Sequence, residues 1–291
     1  MKDKLRIGIS SGCLFDLRAF NTKLHSLNSD DAQKFIEDSQ QDILPKGAAF
    51  ALIDKLSGLS GVDLFLISRK PSSLSAIIKH NINVTNLIIS KCIFTSGGCV
   101  KEPVVSHGID LFLSTETDVV KEVLANRIPA AKVLDDFGSN QDHQGIRIAF
   151  DGDAVIFDDS VERLYVTRGL DAVYFHEKRL KNKPLPSGPL KPFLLKLDNI
   201  KKYVNLKHPG LIQTALITAR SNKCSPRVHK TLSKWGLVFD KMFFMNGRNK
   251  NEAIWTFCPD IFFDDRLDHC IPASRLSTAA HVPWGVANSE K

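Results

Sequence analysis

The sequence has no apolar run approaching the ~18 residues of a membrane-spanning helix, which excludes a helical membrane protein. A secretory leader is not expected. Met1-Lys2-Asp3-Lys4 before the apolar Leu5–Ser10 is too short and too interrupted for one, so the expected address is the cytoplasm. It lacks any Cys-x-x-Cys pair among its six cysteines (Cys13, Cys92, Cys99, Cys224, Cys258 and Cys270), which argues against a zinc knuckle. In a cytoplasmic chain these thiols are expected to be reduced and mostly buried. Long disorder is excluded by a content of 43% hydrophobic and 24% charged residues. A concentrated block of one charge sign is missing too. The net charge of +7 comes from 39 basic and 32 acidic residues scattered through many segments, the densest cluster being Lys178–Lys183. That distribution fits a protein handling a small anionic ligand, and neither a nucleic-acid nor a membrane partner is expected.

The 291 residues suffice for one large domain or two ordinary ones, and internal matches favour two. Arg6-Ile7-Gly8-Ile9-Ser10 matches Arg147-Ile148-Ala149-Phe150-Asp151. Leu44-Pro45-Lys46-Gly47 matches Leu185-Pro186-Ser187-Gly188 at the same spacing, and Lys55-Leu56 matches Lys196-Leu197. Further on, Leu66-Ile67-Ser68 matches Leu216-Ile217-Thr218, and Ile109–Thr115 matches Pro259–Asp265. Pro129–Val133 then matches Thr278–Val282. Short apolar runs at 5–9, 63–68, 89–94, 109–113, 146–150, 212–217, 241–245 and 260–263 read as buried parallel strands. Helical patterns at 48–57, 116–126, 189–203 and 225–235 alternate with them. The predicted fold is α/β, with two Rossmann-like halves, each with a parallel sheet. The halves are 1–140 and 141–291, joined near Asp135–Asp142, a polar stretch containing Gly138.

The chemistry concentrates in the second half. The apolar run 146–150 leads straight into Asp151-Gly152-Asp153. Ligands of open α/β sheets bind at the carboxyl ends of strands, and two carboxylates there repel each other unless a cation intervenes. Mg²⁺, a hard cation that prefers oxygen, suits them. Three later strand ends offer Thr218-Ala219-Arg220, Lys250 after the turn at Gly247, and Asp264-Asp265.

This ordered set resembles the haloacid-dehalogenase superfamily, whose motifs read here Asp151-Gly152-Asp153-Ala154-Val155, Thr218, Lys250 and Asp264-Asp265. Four further segments narrow the resemblance to the cytosolic type I 5'-nucleotidases: Ser10–Asp16, Phe150–Val155, Asn182–Lys191, and Ile261–Asp265 with Ala279–Pro283. The resemblance covers about residues 5–287. It implies Mg²⁺-dependent hydrolysis of nucleoside 5'-monophosphates, AMP especially. Asp151 is then the nucleophile that forms an aspartyl-phosphate. Asp153 is the general acid and base, and Thr218 and Lys250 hold the phosphoryl oxygens. The metal is held by Asp151, the backbone carbonyl of Asp153 and one carboxylate of the Asp264-Asp265 pair. Asp265 is the favoured ligand, with Asp264 orienting Lys250 or a water.

The segment of about 158–187 reads as a small cap insertion, in which Tyr174 and Phe175 are candidates to stack on a base. Lys178 and Arg179 in the cap, and Arg220 at a strand end, are candidates to meet the substrate's charge. In the first half Ser10, Gly12, Ser114 and Thr115 stand where the second has Asp151, Asp153, Asp264 and Asp265, so no metal and no catalysis are expected there. That half is either a scaffold or an anion site using Ser10, Ser11 and Ser68. A nucleotide activator, as in some animal relatives, and a homo-oligomer are both compatible with the resemblance. The alternatives are a phosphatase for another small ester and a nucleotide-binding regulator without turnover.

Overall fold

Leu5–Ile9 (β1), Val62–Ser68 (β2), Lys91–Phe94 (β3), Leu111–Ser114 (β4) and Ala130–Val133 (β5) form the first five strands of one sheet. Ile146–Phe150 (β6), Ile212–Thr218 (β7), Lys241–Phe244 (β8), Ile261–Asp264 (β9) and Thr278–His281 (β10) form the rest. These positions come from a computed structural model that describes residues 4–134 and 143–289; the expected junction at Asp135–Asp142 lies outside the described residues. The order is β3-β2-β1-β4-β5-β10-β9-β6-β7-β8. Every pairing is parallel except β5 with β10.

The α/β class and the eight expected strands are present. The arrangement differs in one respect from a sheet in each half: a single sheet of ten strands runs through the molecule. The reason lies in β5 and β10, four-residue strands whose pairing sets Ala280 opposite Val133 and His281 opposite Lys132. Leu134 N extends the seam by donating to Ala279 O at 2.9 Å. The first five strands and the last five nevertheless follow the same order on either side of this seam.

Two reciprocal ion pairs cross the sheet. Lys55 Nζ lies 2.7 Å from Asp260 Oδ1, and Lys196 Nζ lies 2.8 Å from Asp110 Oδ2. The same aspartates accept the backbone N–H groups of Arg147 and Arg6, at 2.7 and 2.8 Å, which ties the starts of β6 and β1. The core beside β6 and β9 is aromatic. Phe150 stacks on Phe263 at 5.3 Å and tilts against Phe193 at 6.1 Å.

The paired Pro-x-Gly segments have a structural cause. Short bridges pair Phe15 with Lys46 and Phe157 with Ser187. A Cβ on Gly47 would stand 2.7 Å from the Cys13 carbonyl oxygen, and one on Gly188 would collide with the carbonyls of Phe157 and Val155. Each bridge closes a segment that leaves the sheet. One carries the helix Ser160–Arg179, broken at Gly169 (φ 76°). The other carries Arg18–His25 and Ser29–Asp38, two helices beyond those that the alternation predicts.

Candidate active site

Asp151 follows β6 directly and is held between strands, its N–H donating to the Phe263 carbonyl at 2.8 Å. The chain then turns tightly, and Phe157 N returns to Gly152 O at 2.9 Å. Ala154 pays for the turn with a left-handed backbone, φ 57°, a conformation worth roughly 1–3 kcal/mol of strain outside glycine. Gly152 leaves room for Thr218, whose Oγ1 would stand 3.0 Å from an added Cβ.

Lys250 enters from the turn at Asn246 and Gly247 (φ 53° and 76°) and caps the helix Asn251–Phe257. Its ammonium lies 2.8 Å from Asp151 Oδ1 and 2.6 Å from Asp264 Oδ2. The first contact is a close ion pair without an aligned hydrogen bond; the second is also a hydrogen bond. All three side chains are buried. Burial works against the charged ammonium, but the two carboxylates outweigh it and hold the Lys250 pKa above its usual value. Burial pushes the Asp151 carboxyl up to about 7, with Lys250 opposing and Asp264 adding to the rise. Asp264 is also desolvated, yet Lys250 and His269 hold it below the usual carboxylate range.

Asp264 and Asp265 have different surroundings. Asp264 is occupied: besides Lys250 it accepts Arg266 N at 2.9 Å and meets His269 Nδ1 at 3.2 Å. The Asp265 carbonyl accepts from His281 Nε2 at 2.9 Å and Asn288 Nδ2 at 2.8 Å. Its carboxylate Oδ2 is buried with no hydrogen-bond partner among the described residues. Burial, together with Asp151, Asp264 and Glu162, pushes that carboxyl up to about 10.

Oxygens of Asp151, Asp264 and Asp265 lie within 4.8 Å of one another. A buried trio with one orphaned oxygen and a carboxyl raised by its neighbours is a site with too much negative charge. A hard divalent cation fits that donor set. The Asp153 carboxylate stands outside the trio. Arg220 grips it with two hydrogen bonds, Nε to Oδ2 at 2.8 Å and Nη2 to Oδ1 at 2.7 Å.

A cavity of about 440 Å³ opens over these groups, lined among others by Asp151, Asp153, Thr218, Arg220, Asp265 and Tyr174. Of the expected cap residues, Tyr174 is on its wall. Phe175 is 72% exposed and outside the lining. Lys178 lines a neighbouring groove of about 310 Å³. Asp158 and Asp159 serve the start of the helix Ser160–Arg179: Ser160 Oγ donates to Asp158 at 2.7 Å, and Arg163 pairs with Asp159 at 2.6 Å. The six cysteines are free thiols, three of them buried.

Sequence reasoning missed the support around Arg220. Glu177 accepts Arg220 Nη1 at 2.9 Å and Arg227 Nη1 at 2.6 Å, and all three side chains are buried. Glu177 sits in the charged run His176–Arg179, where nothing local separates a buried acid from a solvated one. It also missed Glu162, Arg266 and His269, which line the cavity beside Asp265. Arg266 and His269 follow the acidic pair closely in sequence, the one signal pointing to them.

A family model described as 5'-nucleotidase matches residues 1–289. The human protein cytosolic 5'-nucleotidase 1B is 30% identical over 305 residues, covering 96% of this chain and 48% of the relative. The chain thus spans about half the length of that relative. No solved structure matches it significantly. Among the described residues, no helix is long and apolar enough to cross a membrane.

Proposed function

The chain belongs to the 5'-nucleotidase family, and from that premise we propose that it is a cytoplasmic phosphoric monoester hydrolase converting nucleoside 5'-monophosphates, AMP among them, to nucleoside and phosphate. One observation carries the reading. Asp151, a buried strand-end carboxylate, borders the 440 Å³ cavity in contact with Lys250 and within 4.8 Å of the Asp264-Asp265 pair.

Asp151 attacks phosphorus, the bond to the ribose 5'-oxygen breaks, and an aspartyl-phosphate forms on Asp151. Asp153 gives its proton to the departing oxygen and then takes one from the attacking water, a role worth roughly 10²–10⁴-fold. In the free site Arg220 grips the Asp153 carboxylate at two points. A bound phosphoryl group offers Arg220 a second anion. Lys250 and Thr218 hold the phosphoryl oxygens. Asp151, Asp265 and the Asp153 carbonyl would hold Mg²⁺, which would supply positive charge against the charge developing on those oxygens. Asp264, occupied by Lys250 and His269, keeps Lys250 aimed.

Residues 1–140 form the non-catalytic half of this enzyme and 141–291 the catalytic half. The segment 158–187 acts as the cap, with Tyr174 on the wall where a base stacks. A screen of AMP, IMP, deoxynucleotides and sugar phosphates, with and without Mg²⁺, tests the reading. Nucleotide turnover that stops on chelation and returns with Mg²⁺ supports it. A preference for sugar phosphates, or no turnover with Mg²⁺, overturns it.

A further inference from the structure

A second crevice lies at the carboxyl ends of β1, β2 and β4, built on the same backbone hydrogen bonds as the Asp151 site. Ser10 N donates to Leu113 O at 2.8 Å, as Asp151 N does to Phe263 O. Gly97 N donates to Arg69 O at 2.7 Å, as Gly247 N does to Ala219 O at 2.8 Å. The amides of Lys70 and Glu116 reach the hydroxyls of Ser68 and Ser114, as those of Arg220 and Arg266 reach Thr218 and Asp264. The strand order reverses between β1 and β4, the position at which open α/β sheets bind ligands.

The side chains in this cradle differ. Ser10, Ser114 and Thr115 stand in place of the carboxylate trio, and Val100 caps the following helix where Lys250 does in the other site. A cavity of about 290 Å³ opens here, at the lower edge of the range for small-ligand pockets. Ser11, Thr115, Lys46 and Lys70 are on its wall. The other charges on that wall are matched: Arg18 grips Asp16 at 2.6 Å, and Arg69 lies 3.2 Å from Glu116. Lys46 and Lys70 have no carboxylate partner among the described residues. Lys46 lies 4.5 Å over the Phe50 ring, and Lys70 reaches only Asn21 Oδ1, at 3.4 Å. Two cations without a carboxylate partner among the described residues therefore line, with two hydroxyls, a crevice whose strand-end positions Ser10, Ser114 and Thr115 carry no carboxylate.

We propose that this crevice binds a phosphoryl group, as a small phosphate monoester or as free phosphate, through Lys46 and Lys70, and holds it unhydrolysed. The inference does not rest on which ester the Asp151 site turns over. The test is a calorimetric titration of the Asp151→Asn protein, with AMP in one arm and inorganic phosphate in the other. Each arm is compared with the same protein carrying Lys46→Ala and Lys70→Ala. The lysine changes are expected to remove one class of sites or weaken it at least ~10-fold, the effect of losing one or two charge-assisted hydrogen bonds. Loss confined to the AMP arm identifies an ester site, and loss that includes the phosphate arm shows that the phosphoryl group alone is bound. Identical isotherms with and without the lysines overturn the proposal, whatever the substrate screen finds. Lys46 is exposed and Lys70 half-buried, so neither change removes a core side chain.

Discussion

Lys250→Met keeps a long side chain in place and removes its charge. The ammonium sits 2.8 Å from Asp151 and 2.6 Å from Asp264, with all three groups buried. At an effective dielectric near 20, each contact is worth roughly 6 kcal/mol of Coulomb attraction. Most of that offsets the cost of taking the charges out of water. Removing one partner from a buried pair costs about 3–5 kcal/mol net, because the carboxylates stay behind uncompensated. The variant is therefore expected to lose about that much stability, measured by urea unfolding at pH 8 with EDTA. The sign of the pH dependence follows from the carboxylates. With Lys250 present, Asp264 is held below its usual range and contributes stability above its unfolded pKa, lost as pH falls. Without Lys250, Asp264 and Asp151 both rise above their unfolded values, so each weakens the fold as pH climbs. The deficit should be smallest near pH 4 and grow towards pH 8, and Mg²⁺ should recover part of it. A loss below about 1 kcal/mol at pH 8, the worth of an exposed pair, or a deficit largest in acid, would refute this account of the site.

Asp151→Asn is expected to drop phosphate release to background while nucleotide binding persists, and Asp153→Asn to slow it by roughly 10²–10⁴-fold; near-normal AMP hydrolysis by the first would end the aspartyl-phosphate scheme. Without metal, the Asp265 carboxyl is pushed up to about 10, so Mg²⁺ binding at pH 7 should release a proton. Calorimetry in buffers of different ionisation enthalpy reads that release, and equal heats in all buffers would contradict it. Asp265→Asn should weaken Mg²⁺ binding more than Asp264→Asn; the reverse order would exchange their roles. Asp260→Ala strands Lys55 and frees Arg147 N, so melting should fall by roughly 6–12 °C, reflecting about 3 kcal/mol. A shift under about 2 °C would mean that the Lys55–Asp260 pair contributes no more than a surface contact.

Much of this protein can be read from its sequence because strand ends are local features. An apolar run such as Ile146–Phe150 must be buried, and the residue after it must emerge at the sheet's carboxyl edge. The positions of Asp151, Thr218, Lys250 and Asp264-Asp265 around one site follow from that rule applied four times. β5 and β10 escaped the rule because Ala130–Val133 and Thr278–His281 are short and rich in alanine, with too little apolar contrast to read as strands. Their antiparallel pairing, and with it the single sheet, depends on contacts between residues about 150 apart, such as Ala280 with Val133. The same limit applies to charge. Lys250, Arg248 and Lys241 look alike in sequence, yet only Lys250 is buried between two carboxylates. Glu177 and Lys178 are neighbours, yet one is buried between two arginines and the other is exposed. Local pattern determines where a side chain leaves the backbone. Which partner it meets, and how much water it loses, is decided only when the folded sheet brings distant segments together.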